Sequence, residues 1–397
     1  MDNTRIITYI RENVLADALY TDGHMTELSL ISQEKESLLG NIYIGKVKNI
    51  VRNIQAAFVE IEHGMICYLP LEDVRHPIYS KPKKQEQLAE GDELLVQVSR
   101  EAVKTKAPSV TTNISLTGKY LVISTGNPII GYSSRLKPSE KERLKAIISS
   151  WSCTDVGMIV RTNASEASEE ELRREYQRLL EQYQFLTGPA LHRTAFSCVW
   201  KNRPAYLTSI LGTRSEVLKE ILTDQEELYD QIRAFLQEEM PEDLGKLRLY
   251  TDRMLPLGAL YRMEKELTEA LNERVWLRSG AYLVIEQTEA LTVIDVNTGK
   301  CISGKNKSET IRKINQEAAV EIARQLRLRN LSGIILIDFV DMNEKEDSSK
   351  LLAFMNEQLK NDPMKAIAVD MTALGLMELT RKKQKKTLKE QAKECGI

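Results

Sequence analysis

The clearest apolar pattern in the chain runs through residues 291–342 and predicts a strand, a helix and a second strand. LTVIDVNTG, residues 291–299, is apolar and β-branched at Leu291, Val293 and Val296. Asp295 interrupts it near its end, and Thr298 and Gly299 supply a turn. Over residues 309–329, Ile311, Ile314, Ala318, Ile322 and Leu326 recur at steps of three and four, the spacing of one helix face. GIILIDF, residues 333–339, is a continuous apolar run of the kind buried on both faces. Asp338 stands at its end and Asp341 follows. GAYLVIEQ, residues 280–287, is expected to pair with the first strand as a hairpin turning at residues 288–290.

Elsewhere the pattern changes from block to block. RIITYI and TELSLI, within residues 1–34, predict a strand pair turning at Thr21, Asp22 and Gly23. That piece is too small to fold alone and should join a later segment. Residues 38–112 read as five short strands with basic and aromatic residues interleaved, the pattern of an OB-type barrel. Lys81, Lys83 and Lys84 read as a solvated charge run. Next come a strand in GKYLVIS, a helix over residues 137–151 with Pro138 in its first turn, and a strand in VGMIVRT. Ser168 to Glu171 is spaced as a capping box, and Leu172, Tyr176, Leu179 and Tyr183 continue a helix behind it. Residues 216–240 and 258–278 look helical. A helix over 351–359 and a strand over 366–369 precede an amphipathic, basic tail, for which a helix is expected.

The chemistry concentrates at the ends of the two strands in the first pattern. A carboxylate at the end of a buried strand is costly unless it is paired, protonated or metal-bound. Asp295 and Asp338, joined by one helical crossover, can lie side by side on neighbouring strands. An all-oxygen site with few protein ligands suits Mg²⁺, which acts on phosphates as a Lewis acid and as a generator of hydroxide. Each Asp taken alone also fits an ordinary strand end or turn. Arg161 and Thr162, ending a strand before a capped helix, could hold a phosphate through a charged fork and a hydroxyl, or simply decorate a surface. Phe58 and Tyr68 are candidates for base stacking or for barrel core. Arg381, Lys382 and Lys383 fit either a solvated helix or an RNA-backbone contact.

Composition narrows the setting. The 397 residues allow two to four domains, and 42% hydrophobic with 28% charged residues is globular usage. A net charge of −2 gives no global nucleic-acid signature, so any nucleic-acid contact must come from local patches. No apolar run is long enough to span a membrane, and the N-terminal residues show no signal-peptide pattern. Five scattered cysteines without a CxxC pair fit a reducing cytoplasm.

TEALTVIDVNTG, EIARQLRLRNLSGIILIDFVDM and TALGLMELTRKK resemble the hallmark segments of the ribonuclease E/G family of endoribonucleases, and the likeness extends over nearly the whole chain. The resemblance implies an α+β multidomain fold. An RNase H-like subdomain without its own hydrolytic site would take residues 1–34 and 207–272. An OB-fold RNA-binding domain would take 35–112 and a 5′-end sensor 113–206. A DNase I-like catalytic domain would take 273–391, followed by a short tail, 392–397. It implies that Asp295 and Asp338 hold a catalytic Mg²⁺ and that Asn297 supports Asp295. Phe58, Tyr68 and Lys106 would contact RNA. Gly118, Val122, Arg161 and Thr162 would form the 5′-monophosphate sensor, and Lys365 stands where some members have an arginine. Lys keeps the charge but loses the planar fork, so a modest phosphate preference is expected.

The implied activity is Mg²⁺-dependent cleavage of single-stranded RNA in rRNA and tRNA maturation and mRNA decay, leaving 5′-phosphate and 3′-hydroxyl ends. Many members carry a CPxC segment whose thiolates share a zinc ion between subunits. Here Cys395 stands alone near the first thiolate position, and one cysteine per chain is short of a closed tetrahedral site. No zinc link is therefore expected, any homodimer should form without one, and Cys395 should be exposed and unliganded. The scaffolding tail of the large members is not in the sequence, so the chain resembles the compact, G-type members. Two alternatives stay open: a non-catalytic RNA-binding regulator, and a metal-dependent phosphatase or DNase using the same carboxylates.

Overall fold

The computed structural model describes residues 2–34, 37–83, 87–102, 107–126, 128–151, 156–299, 307–342, 345–383 and 385–397. They divide into two compact units, each assembled from separate stretches of chain. The first comprises Met1–Lys35, Ser215–Gln231 and Lys246–Ile397. The second comprises Glu36–Arg214 and Ile232–Gly245. The content is mixed α and β throughout.

The first unit holds two sheets. Its five-stranded sheet runs Leu247–Leu249, Leu218–Thr223, Asn3–Arg11, Val14–Thr21, His24–Ser32. The first three are parallel and the last three form an antiparallel meander. The expected N-terminal strand pair is thus a three-stranded meander whose middle strand, VLADALYT, escaped the pattern because Asp17 breaks it. Asp17 is buried against Arg5, with Oδ1 2.7 Å from Nη1, so its charge is compensated by a residue on the neighbouring strand. Residues 216–240, expected as one helix, are the strand Leu218–Thr223 followed by the helix Glu226–Glu239. LKEILT fits either period, and parallel pairing with Asn3–Arg11 selects the strand. Residues 258–278 likewise break into short helices Leu257–Leu260 and Met263–Leu271 and a strand, Arg274–Trp276.

The six-stranded sheet runs Arg274–Trp276, Tyr282–Gln287, Leu291–Asn297, Gly333–Asp338, Leu376–Arg381, Ala366–Met371. The expected hairpin between residues 280–287 and 291–297 is present, with Val284 opposite Asp295. The helices Lys307–Leu328 and Lys345–Leu359 cover one face. Ile314, Ala318, Ile322, Leu351 and Met355 close over Ile285, Ile294, Ile335, Ile337 and Leu379. Burying that face draws on the hydrophobic effect at roughly 25 cal/mol per Å². The GIILID strand is therefore buried on one face only: Ile335 and Ile337 are inside, whereas Ile334 is 54% exposed.

The basic tail is not one helix. Leu376–Arg381 is a strand antiparallel to Gly333–Asp338, and only Leu388–Glu394 is helical, capped by Thr387. Arg381 is neither solvated nor free for RNA: it is buried against Asp362, Nε to Oδ2 2.7 Å. Cys395 is half-buried rather than exposed and packs on the core that joins the meander to Leu388 and Ala392.

The second unit holds a barrel and a smaller sheet. Ile42–Val51, Ala56–Glu62, Met65–Pro70, Ser109–Thr111 and Glu93–Arg100 pair in sequence around the barrel. Pairing of Ile42–Val51 with Glu93–Arg100 closes it. A further strand, Cys198–Trp200, adds to Ile42–Val51. Full closure removes the exposed edges that would invite aggregation. The four-stranded sheet runs Ile130–Tyr132, Gly157–Val160, Leu121–Ser124, Ser115–Thr117. The helices Pro138–Ser149 and Glu169–Thr187 pack on it, the second with the expected Ser168–Glu171 capping box.

Candidate active site and RNA-binding surfaces

Asp295 and Asp338 are register partners on adjacent parallel strands. Parallel strands lie about 4.8 Å apart, and directly paired residues point to the same face. Both carboxylates therefore leave the sheet together, on the face away from the covering helices, and both are exposed. The Nδ2 of Asn297 donates to Oδ2 of Asp295 at 2.6 Å, which fixes that carboxylate's rotation. Gly299 then turns the chain at φ +57°, and a side chain there would strike the Gly280 carbonyl.

The loop after Gly333–Asp338 is pinned from beneath. Asn315, fully buried in the Lys307–Leu328 helix, donates to the Val340 carbonyl at 2.8 Å and accepts from the Val340 N–H at 3.1 Å. The sequence reading missed Asn315. Its signal was an amide four residues after Ile311, inside the apolar stripe, where an unpaired polar group is costly. The Asp338 carboxyl is pushed up from its usual range, first by burial, then by the neighbouring charges of Asp295 and Asp341. Three like charges thus converge, and among the described residues no cation enters that balance. Among the described residues no cluster of three or more Asp, Glu, His or Cys is arranged as a complete metal cage. Two carboxylates with water and substrate oxygens are, however, the usual protein contribution to a Mg²⁺ site.

In the barrel, Phe58 and Tyr68 are register partners on neighbouring strands. Their rings meet edge to face, 6.3 Å between centroids. Both are half-buried and neither belongs to the barrel core, which is built from Tyr43, Val47, Val59, Ile61, Leu69 and their neighbours. Lys106 lies outside the described residues, as does Lys84.

The four-stranded sheet brings Gly118, Val122, Arg161 and Thr162 into one neighbourhood. Arg161 donates through Nη1 to the carbonyls of Gly118 and Lys119, while Nε and Nη2 make no hydrogen bond among the described residues. Burial lowers its pKa from the usual range, and the charge of Glu175 partly restores it. Val122 pairs with Ile159, two residues before Arg161. Thr162 Oγ1 shares a 2.8 Å hydrogen bond with Ser133 Oγ.

Glu175, a second residue the sequence reading passed over, organises this corner. It is buried on the Glu169–Thr187 helix and accepts the backbone N–H groups of Lys119, Tyr120 and Leu121 at 2.7–2.8 Å. Burial pushes its carboxyl up, and those three donors oppose the shift. A side chain on Gly118 would collide with the Glu175 carboxylate, so only glycine fits there. A Glu three residues after Leu172, on the buried helix face, was the available signal. Lys365 is exposed and belongs to the other compact unit.

A closed OB-type barrel in one unit, and in the other an α/β sheet whose strand ends pair two carboxylates, define a modular α+β protein equipped to hold a nucleic acid. The comparisons give that class a family. The chain matches the Ribonuclease E/G family over residues 115–384 and the S1 RNA binding domain over residues 39–113. It is 35% identical over 404 aligned residues to Ribonuclease G of Haemophilus influenzae, spanning 98% of this chain and 81% of that protein. To Ribonuclease G of Escherichia coli K12 it is 34% identical over 394 residues, 93% of this chain and 78% of that one. Ribonuclease E of Synechocystis is 34% identical over 371 residues, 90% of this chain but 55% of that longer protein. The chain belongs to the ribonuclease E/G family. Among the described residues no helix is long and apolar enough to cross a membrane.

Proposed function

We propose that this protein is a Mg²⁺-dependent endoribonuclease that cleaves single-stranded RNA at Asp295 and Asp338. The observation that carries the reading is the register pairing of those two carboxylates on one open face, in a family named for ribonucleases and in a chain that also carries an S1-type barrel. The donor set fits the ion: it is all oxygen, Asn297 orients half of it, and the Asp338 carboxyl is raised by burial and then by the charges of Asp295 and Asp341, which a cation would offset. Mg²⁺ held by Asp295 and Asp338 would supply Lewis-acid stabilisation of the phosphate and a water of lowered pKa. Asn297 keeps one Asp295 oxygen directed by its hydrogen bond, and Asn315 holds the Asp338–Asp341 loop in place through both of its amide atoms. Attack of water on phosphorus would leave 5′-phosphate and 3′-hydroxyl ends, in RNA maturation and decay.

The other surfaces serve the same substrate. Phe58, Tyr68 and Lys106 would bind the single strand on the barrel. Gly118, Val122, Arg161, Thr162 and Lys365 would sense a 5′-monophosphate, with Nε and Nη2 of Arg161 open to phosphate oxygens. The five-stranded order, an antiparallel meander followed by two parallel strands, supports an RNase H-like subdomain, and the six-stranded sheet a DNase I-like catalytic one. The proposed domains are 1–34 with 207–272, 35–112, 113–206 and 273–391.

The test is cleavage of a short AU-rich single strand with and without Mg²⁺, for the wild type, Asp295→Asn and Asp338→Asn. Each substitution is expected to abolish cleavage while leaving RNA binding largely intact, since a lost charge at the metal is worth several kcal/mol of barrier. Near-wild-type cleavage by either variant at limiting Mg²⁺ would remove that residue from the site, and a wild type that binds but never cleaves would favour the non-catalytic regulator.

A further inference from the structure

The open face of the six-stranded sheet carries more than the carboxylates. Arg274 pairs with Val284, Trp276 with Tyr282, and Tyr282 with Asn297. By strand alternation these side chains leave the same face as Asp295 and Asp338. Trp276 lies on the edge strand and is 64% exposed. Its ring centroid is 5.1 Å from that of Tyr282, the two planes tilted by 54°. The Arg274 guanidinium sits over both rings, 4.5 Å from the Tyr282 centroid and 5.8 Å from that of Trp276. Arg274 makes no ion pair among the described residues.

A single exposed apolar residue needs no explanation. Here an indole is held in place by a tyrosine and a cation and stays largely open to solvent, in register with Asn297, while Arg274 is in register with Asp295. Two strand spacings, about 10 Å, separate the Trp276 strand from the one that ends in Asp295 and Asn297. A nucleotide bound at the carboxylates would place its neighbour's base within reach of the indole, while the edge of the Arg274 guanidinium could meet a phosphate oxygen.

Resting on the ribonuclease reading above, we infer that Arg274, Trp276 and Tyr282 form a stacking site for one unpaired base flanking the scissile phosphate. Trp276 supplies the stacking surface, Tyr282 and Arg274 hold it upright, and Arg274 adds charge for the backbone. Stacking accepts any base, because every base has a π-face. A duplex would keep its bases out of reach, so the site selects single strands.

The experiment uses a short single-stranded RNA with one cleavage site and a series of derivatives, each with one abasic nucleotide. Full-length wild type, Trp276→Ala and Trp276→Phe are compared by steady-state cleavage in Mg²⁺. Trp276→Ala is expected to raise KM about tenfold with little change in kcat, and Trp276→Phe to restore most of the loss. In the wild type, one abasic position near the cut should cost a similar factor. In Trp276→Ala that same abasic position should cost nothing further, since both changes remove one contact. Additive losses at every position, or an unchanged KM in Trp276→Ala, would overturn the assignment. So would a concentration-dependent drop in mass of Trp276→Ala with cleavage intact, which would make the face a contact between copies of the chain. Cleavage of the intact strand by wild type reads the ribonuclease assignment separately from the stack.

Discussion

One sheet carries its charges in two opposite ways. Arg381 and Asp362 are both buried, joined by Nε to Oδ2 at 2.7 Å and Nη2 to Oδ1 at 3.1 Å, with Arg381 Nη1 donating to Asn330 and to the Leu331 carbonyl. Asp295 and Asp338 instead stand exposed, side by side, with Asp341 adding a third like charge. The first arrangement satisfies every charge it buries; the second gathers charge of one sign and leaves it unbalanced. Charge that serves the fold is compensated within the chain, whereas the charge proposed to serve chemistry is left for a ligand to compensate.

The sharpest way to break this contrast is to remove one charge from each cluster and measure stability. Arg381→Ala strands the Asp362 carboxylate in the interior and should cost about 3–5 kcal/mol of unfolding free energy. Asp338→Asn should cost none. Urea unfolding of the two variants decides it, and similar losses would mean that the carboxylate pair is structural after all.

The barrel aromatics sharpen the same division at a smaller scale. Phe58 and Tyr68 are half-buried and lie outside the core cluster, so their substitution should act on the ligand. Phe58→Ala and Tyr68→Ala should each weaken binding of a short single-stranded RNA by about 1–3 kcal/mol, with the melting temperature nearly unchanged. A large fall in melting temperature with full affinity per folded molecule would return the rings to the core.

The smallest expected effect is a pH dependence. Because the Asp338 carboxyl is raised in the folded protein, the native state holds that proton more tightly than the unfolded chain does. The unfolded state therefore binds fewer protons in that window, and stability from this group falls as pH rises through the folded pKa. Asp338→Asn should thus be slightly more stable than wild type at neutral pH, by about 0–1 kcal/mol given solvent screening, and equal to it in acid. A gain that persists below the carboxylate range would point to a cause other than charge.

Much of this could be read along the chain. Period-two and period-3.6 patterns located the Leu291–Asn297 strand, the Lys307–Leu328 helix and the Gly333–Asp338 strand, and the Ser168–Glu171 spacing located a helix start. These features are local: a few neighbouring residues carry the whole signal. The carboxylate pair was legible for a related reason, since a strand, one helical crossover and a second strand leave few alternatives to parallel adjacency.

What escaped depended on partners far away in sequence. Asp17 disguised a central strand because Arg5 neutralises it from the next strand, and Arg381 looked like part of a basic surface because Asp362 was not its neighbour in the chain. LKEILT became a strand through parallel pairing with residues more than two hundred positions earlier. Glu175 gained its place under Gly118 only when the helix packed on the sheet. Local sequence determined the elements and the charges they carry. The tertiary structure alone decided which charges are compensated, because that depends on desolvation and contact between segments that meet only in the folded chain.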